Sequence, residues 1–319
     1  MQIKLRVRRY NPEAENPAPH YEEFTVEVEE YQSVLDSLLH VREYVDDSLA
    51  VRCSCRGAIC GSCGMRVNGH ATLACKTKVV SVASDGGTVT VEPMGNMPVL
   101  KDLVTDMKPF WDKVRQVTPW LQPEGPEPEG EYVVPPESMN HLNGVMACIM
   151  CGVCVSDCTA LEVDSNFIGP AALAKAYRFA ADPRDGEVKE RLRALNEYGG
   201  IWDCTRCMEC VEVCPKGVAP MDLIMALRDK AMAAGFTNTY GARHAEAFSD
   251  SVKEGGRLDE TMLAIRTIGF FNVPKLLSMA PVALRALAHR KLPMPSPFHA
   301  PIPGVHQVQR IFGRLEKKQ

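Results

Sequence analysis

No run of about 18 apolar residues, the length that crosses a bilayer, occurs in the 319-residue sequence. The longest candidate, LLSMAPVALRALA from Leu276, is interrupted by Pro281 and charged at Arg285, with Lys275 just before it. The chain itself is therefore not expected to span a membrane. A basic excess is missing too: the net charge of −4 gives no electrostatic footprint for a polyanion, which argues against nucleic-acid binding. The N-terminal stretch MQIKLRVRRYNPEAEN contains Arg8 and Arg9. Polar residues follow where an export signal would carry its apolar segment, so it reads as a charged, solvated strand face.

What the sequence has in quantity is sulfur. Thirteen cysteines, an odd number, lie in clusters rather than spread along the chain, which points to metal ligation or redox chemistry and away from a disulfide framework.

Ahead of the first cluster, Ile3, Leu5 and Val7 alternate with polar residues at strand period, as do Phe24, Val26 and Val28. From Ser33 to Tyr44 the spacing becomes helical, with Val34, Leu35, Leu38, Leu39 and Val41 on one face and Ser33/Asp36 marking the start. Asn68-Gly69 between short alternating runs predicts a hairpin, and DGGTVTVEP a further strand with Val89 and Val91. Residues 1–97 thus predict a small mixed sheet with one helix. Residues 98–137 predict a helix followed by a Pro/Glu-rich linker, in which TPWLQPEGPEPEGEYVVPPES carries six prolines and no period. From Ser138 the pattern is helical, with Pro170 suited to a first helical turn and Gly199 to a stop.

Cys55, Cys60 and Cys63 stand as C-x4-C-x2-C, with Cys75 beyond the hairpin. That is the plant-type 2Fe-2S spacing, in which a tight loop surrounds a small cluster with three thiolates and many N–H groups while a fourth thiolate closes it. Gly57, Gly61 and Gly64 allow the loop its close approach. A structural zinc site would also accept four thiolates but favours paired C-x2-C units. Cys148, Cys151, Cys154 and Cys158 form C-x2-C-x2-C-x3-C, and Cys204, Cys207, Cys210 and Cys214 repeat it, ending in Pro215. Two such runs make the two-cluster ferredoxin arrangement, in which the fourth cysteine of each ligates the other cluster. One cubane then takes Cys148, Cys151, Cys154 and Cys214; the next takes Cys204, Cys207, Cys210 and Cys158. Cys53 is left over as a free thiol near the first cluster, or simply a small buried residue.

These residues resemble the iron–sulfur subunit of succinate dehydrogenase and fumarate reductase. The likeness rests on CSCRGAICGSCGMRVNGHATLAC, both cysteine runs, and FIGPAALAKAYRFAADPRD between them, and covers residues 1 to about 235. It implies an α+β chain: a β-grasp plant-type 2Fe-2S domain at 1–97, an α-helical ferredoxin domain with two cubane clusters at 138–235, and a helical C-terminal extension at 236–319 that docks on a partner. It also implies a flavoprotein partner that holds FAD, a membrane-associated quinone-reactive partner, and a peripheral position on the cytoplasmic face of the inner membrane.

The sequence departs from the common members in three places. Cys207 stands where they have a non-cysteine residue and a 3Fe-4S centre, so a second 4Fe-4S cluster is expected, with 3Fe-4S the form without Cys207. Thr159, Ala160, Leu161 and Glu162, and then Thr205, replace the residues that bind quinone there. The segment RHAEAFSDSVKEGGRLDE resembles the heterodisulfide-reductase C subunit, which implies a cysteine-rich, heterodisulfide-reductase-like partner. The basic, apolar stretch Val273 to Lys291 suits docking on that partner or on lipid headgroups, or plain packing.

The expected function is electron transfer from a flavin reduced by succinate towards quinone, through one 2Fe-2S and two cubane clusters. The same role in a fumarate reductase, quinol- or thiol-driven, and a zinc-stabilised interaction module are the alternatives. No catalytic acid, base or nucleophile is assigned; His70, His141 and His244 have no partner motif.

Overall fold

A computed structural model describes residues 1–291 and 301–316; of the expected extension, positions 292–300 and 317–319 lie outside the described residues. The described residues form two compact units, Met1–Lys230 and Ala231–Gln319.

In the first unit the alternating residues Ile3, Leu5 and Val7 bury one face of β1 (Gln2–Arg9), and Phe24 and Val26 bury the same face of its antiparallel neighbour β2 (His20–Glu27). Helix α1 (Val34–Tyr44) lays Val34, Leu35, Leu38, Leu39 and Val41 on that face. Its start is a capping box: Ser33 accepts from the Asp36 N–H, and the Asp36 carboxylate accepts from the Ser33 N–H at 2.8 Å. Strands β3 (Gly64–Val67) and β4 (His70–Leu73) meet at Asn68-Gly69, whose φ values of 51° and 86° belong to the two-residue hairpin turn. Strand β5 (Thr88–Glu92) completes the order β2-β1-β5-β3-β4 and runs parallel to β1.

A second hairpin, β6 (Val99–Lys101) and β7 (Val104–Thr105), leads into α2 (Lys108–Gln116). The Pro/Glu-rich stretch after it is pinned only at its start. Buried Arg191 donates to the carbonyls of Thr118 (2.6 Å) and Trp120 (2.7 Å) while paired with Asp185 at 2.8 Å. In the helical part, Pro170 opens α3 (Pro170–Ala180), whose Ala171, Ala172, Leu173, Ala174 and Ala176 are buried. Helix α4 (Val188–Leu195) stops before Gly199, which instead serves a turn at φ 84°; a Cβ there would lie 2.5 Å from the Asn166 carbonyl oxygen. Helix α5 (Pro220–Ala233) follows the second cysteine run.

In the second unit α6 (Tyr240–Gly255) and α7 (Glu260–Ile268) are capped by Thr239 and Asp259 and pack on each other. Helix α8 (Val273–Ala288) buries no residue, and α9 (Val305–Glu316) ends the described chain. No helix among the described residues is long and apolar enough to cross a membrane.

Candidate iron–sulfur sites

The loop from Cys55 to Cys60 turns its amides onto sulfur. Cys55 Sγ accepts from the N–H groups of Gly57 (3.3 Å), Ile59 (3.4 Å) and Cys60 (3.3 Å), Cys60 Sγ from that of Cys55 (3.4 Å), and Cys75 Sγ from that of Ala58 (3.3 Å). Left-handed φ at Arg56 (53°), Ala58 (56°) and Gly61 (74°) makes this possible, because alternation with right-handed residues points successive N–H groups inward. The Ser62 hydroxyl and the Cys55 amide hold the Cys60 thiol down at about 6, whereas burial pushes Cys63 up to about 12. A ring of N–H donors suits thiolates and sulfides that carry negative charge, so these residues fit a binuclear cluster.

The two later runs share one backbone. Left-handed residues fall at Met150 (φ 55°) and Gly152 (79°) in the first, and at the matching places, Arg206 (59°) and Met208 (73°), in the second. Each run then enters a one-turn helix, Val153–Ser156 or Glu209–Glu212. Gly152 is favoured by its left-handed φ, and a Cβ there would displace the Met97 methyl, 2.8 Å away.

Cys148, Cys151, Cys154 and, from the other run, Cys214 line one cavity, walled by Ile149, Ala171, Ala174 and Val218. The Val218 N–H donates to Cys214 Sγ at 3.3 Å. Burial pushes the Cys154 thiol well above its ordinary range, with Cys151, Cys148, Cys210 and Cys214 adding to the rise. Buried thiolates side by side are costly unless a cation neutralises them, which is what a cubane's irons do.

The remaining four sulfurs gather separately. Burial pushes Cys210 up to about 12, assisted by Cys204, Cys158 and Cys207. Burial also raises Cys207, but hydrogen bonds from the Thr159 hydroxyl, the Glu209 N–H and the Thr205 hydroxyl outweigh it, and this exposed thiol stays below its ordinary value. Thr159 and Thr205, from the two different cysteine runs, therefore both face Cys207. Among the described residues no three His, Cys, Asp or Glu side chains are placed to hold a single metal ion. Cys53 lies half-buried against the sheet core.

Two residues without a motif hold these sites in place. Asn96, at φ 57°, donates its side-chain amide to the carbonyls of Val155 (2.8 Å), Cys158 (3.0 Å) and Ser156 (3.2 Å), which ties the strand domain to the first cubane run. Arg228, only 7% exposed, donates to the carbonyls of Ile201 (2.8 Å), Trp202 (3.1 Å) and Cys204 (2.8 Å). In sequence, Asn96 reads as a turn residue in MGNMP, and Arg228 as one charge on the polar face of a helix beside Asp229 and Lys230.

A strand domain with an amide-lined four-thiol loop, followed by a helical domain with two quartets of thiols, defines an electron-transfer protein of the ferredoxin type carrying 2Fe-2S and 4Fe-4S clusters. Residues 4–112 match the family model of a 2Fe-2S iron–sulfur cluster binding domain, and residues 144–218 that of a 4Fe-4S dicluster domain. The fumarate reductase iron–sulfur subunit of Mycobacterium tuberculosis is 40% identical over 224 residues, 70% of this chain and 90% of that one. The mitochondrial succinate dehydrogenase [ubiquinone] iron–sulfur subunit of Dictyostelium discoideum is 36% identical over 68% of this chain and 78% of its own length. The 8-methylmenaquinol:fumarate reductase iron–sulfur subunit of Wolinella succinogenes is 35% identical over 81% and 82%. A chain of the Mycobacterium smegmatis Sdh1 complex in the apo form superposes with a TM-score of 0.67 at 29% identity, covering 74% of this chain and 97% of that one. The chain belongs to the family of succinate dehydrogenase and fumarate reductase iron–sulfur subunits, and its part in such an oxidoreductase is electron transfer.

Proposed function

We propose that the chain relays single electrons from FAD of a succinate-oxidising flavoprotein subunit towards quinone. In this reading Cys55, Cys60, Cys63 and Cys75 hold the 2Fe-2S centre, Cys148, Cys151, Cys154 and Cys214 the first 4Fe-4S centre, and Cys158, Cys204, Cys207 and Cys210 the second. Residues 1–97, 98–137, 138–235 and 236–319 are the binuclear domain, linker, dicluster domain and docking extension. The observation that carries the reading is the cavity shared by three sulfurs of one run and the last sulfur of the other. The bound clusters supply one-electron chemistry; the protein supplies thiolates, amide hydrogen bonds and spacing.

The subunit is held as a peripheral protein on the cytoplasmic face of the inner membrane by a membrane-associated partner of the cysteine-rich, heterodisulfide-reductase-like kind. Helix α8 supports that docking role. It leaves Phe271 beside it and its own Leu277 and Leu284 exposed, and from Thr261 to Leu315 the sequence has no acidic residue but carries Arg266, Lys275, Arg285, Arg290, Lys291, Arg310 and Arg314. A basic, apolar surface suits an acidic, apolar groove on a partner.

Anaerobic purification with co-purifying subunits tests the proposal. The expected preparation contains a flavoprotein, a cysteine-rich partner, and about ten irons and ten labile sulfides per chain. Colourless protein with zinc and no labile sulfide would end it, and a haem-bearing anchor would end the partner assignment. Assays in both directions, with potentials of the three centres, decide between succinate oxidation and fumarate reduction.

A further inference from the structure

Asp157 stands between Cys154 and Cys158, and its side chain is only 6% exposed. Its carboxylate reaches across to the strand domain. Oδ2 accepts the Ala71 N–H at 2.7 Å, while Oδ1 pairs with Arg66 Nε at 3.3 Å and accepts the Ser156 hydroxyl at 3.1 Å. Ala71 and Arg66 are partners across β3 and β4, and β4 is the edge of the sheet, so the carboxylate meets a backbone donor that has no neighbouring strand. The same hairpin carries binuclear thiols: Cys63 immediately precedes β3, Cys75 lies two residues past β4, and the Ala74 N–H donates to the Cys63 carbonyl at 3.0 Å. One side chain thus bolts the hairpin that holds Cys63 and Cys75 to the backbone that holds Cys154 and Cys158.

Apolar contact also joins these parts, since Val153 is buried in the sheet core with Ile149 and Cys151 packed against it. Apolar contact has no direction and leaves two surfaces free to slide, whereas a charge-assisted bond fixes one register. A buried carboxylate is costly to keep, and what a paired one can give a fold is a specified arrangement rather than net stability. We propose that Asp157, paired with Arg66, is the latch that sets the separation of the binuclear centre from the first cubane, and with it the rate at which electrons pass between them. The proposal rests on the assignment of Cys55, Cys60, Cys63 and Cys75 to the one and of Cys148, Cys151, Cys154 and Cys214 to the other. Asp157 and Arg66 are positioning residues, acting through the backbone that carries the ligands.

The test compares the anaerobically purified complex carrying Asp157→Ala, Asp157→Asn or Arg66→Glu with its parent. Iron and sulfide are counted, amide exchange is followed at Ala71, and the spin coupling of the binuclear centre to the first cubane is read, in the fully reduced complex, from microwave-power saturation of the binuclear EPR signal. In fully loaded Asp157→Ala, exchange at Ala71 speeds up about tenfold, the loss of one hydrogen bond to a charged group. The binuclear signal saturates at lower power, because the two spins have moved apart. Asp157→Asn, which still offers an oxygen to the Ala71 N–H, keeps both readings close to the parent's. A fully loaded Asp157→Ala whose binuclear signal saturates as in the parent overturns the proposal. Should that variant fail to load, Arg66→Glu decides, since it drives the carboxylate away by like-charge repulsion and leaves the cysteine run untouched: unchanged saturation there overturns the proposal, and saturation at lower power upholds it. Failure of the cluster assignment itself is recognised separately, because the unmutated complex would then fall short in its iron and sulfide count.

Discussion

Gly61, on the binuclear loop, touches Cys151 of the first cubane run: a Cβ at Gly61 would lie 2.6 Å from Cys151 Cβ and 2.9 Å from its Cα. With φ at 74°, the position is closed to other residues by both conformation and space. The contact brings the binuclear loop against a sulfur-bearing residue of the next site.

Gly61→Ala is accordingly expected to damage two sites at once. The left-handed backbone costs about 1–2 kcal/mol for alanine, and the forced separation about 1–3 kcal/mol more. Iron and sulfide per chain should fall, with loss of binuclear and first-cubane EPR signals together. A fully loaded variant with unchanged potentials would show that the loop yields without consequence.

Asn96→Ala removes a side-chain amide that three carbonyls share, leaving them buried at the junction, and places alanine at a left-handed φ. A loss of about 2 kcal/mol is expected from the lost hydrogen bonds, read as a lower thermal midpoint of the loaded protein. Asn96→Gly, which relieves the backbone without restoring the amide, should recover only part of that loss. Full recovery would assign the whole effect to conformation.

Cys207→Ser should turn the third centre into a three-iron one. A three-iron centre is paramagnetic when oxidised and an oxidised 4Fe-4S centre is silent, so the oxidised variant gains an EPR signal that the anaerobic parent lacks. An equally intense signal in the parent would remove Cys207 from the ligand set.

Extraction of iron by chelation should unfold the sites of the helical domain while sparing the strand domain. The helices Val153–Ser156 and Glu209–Glu212 are single turns, too short to persist alone, and burial raises the thiols of Cys154 and Cys210 when no cation meets them. The sheet keeps its own core of Leu5, Val7, Leu38, Val89 and Val91. Amide exchange should speed up around both cysteine runs with β1 and β5 still protected; unchanged protection at the runs would mean that protein packing alone holds them.

Much of the first unit was legible because its signals are local. Period-two burial on β1, the Ser33/Asp36 box and the Asn68-Gly69 turn each act within a few residues. The short hairpin of β6 and β7 was not foreseen, because Val99–Lys101 and Val104–Thr105 are too brief to show a period. Gly199 misled for a related reason: glycine marks a left-handed turn, and the neighbour that demands it, the Asn166 carbonyl, lies far along the chain.

Cysteine spacing pointed to the 2Fe-2S and 4Fe-4S domains, since a loop of given length can wrap only a core of matching size, and together with FIGPAALAKAYRFAADPRD and the residues around the first cysteines it pointed to the family. Tertiary structure decided what spacing does not carry: that Gly61 abuts Cys151, that Asn96 reaches the carbonyls of the first cubane run, and that Arg228 reaches back to the Cys204 turn. Such relations join residues distant in sequence. They arise from the packing of surfaces and the burial of charge, which leave no periodic trace in the order of residues.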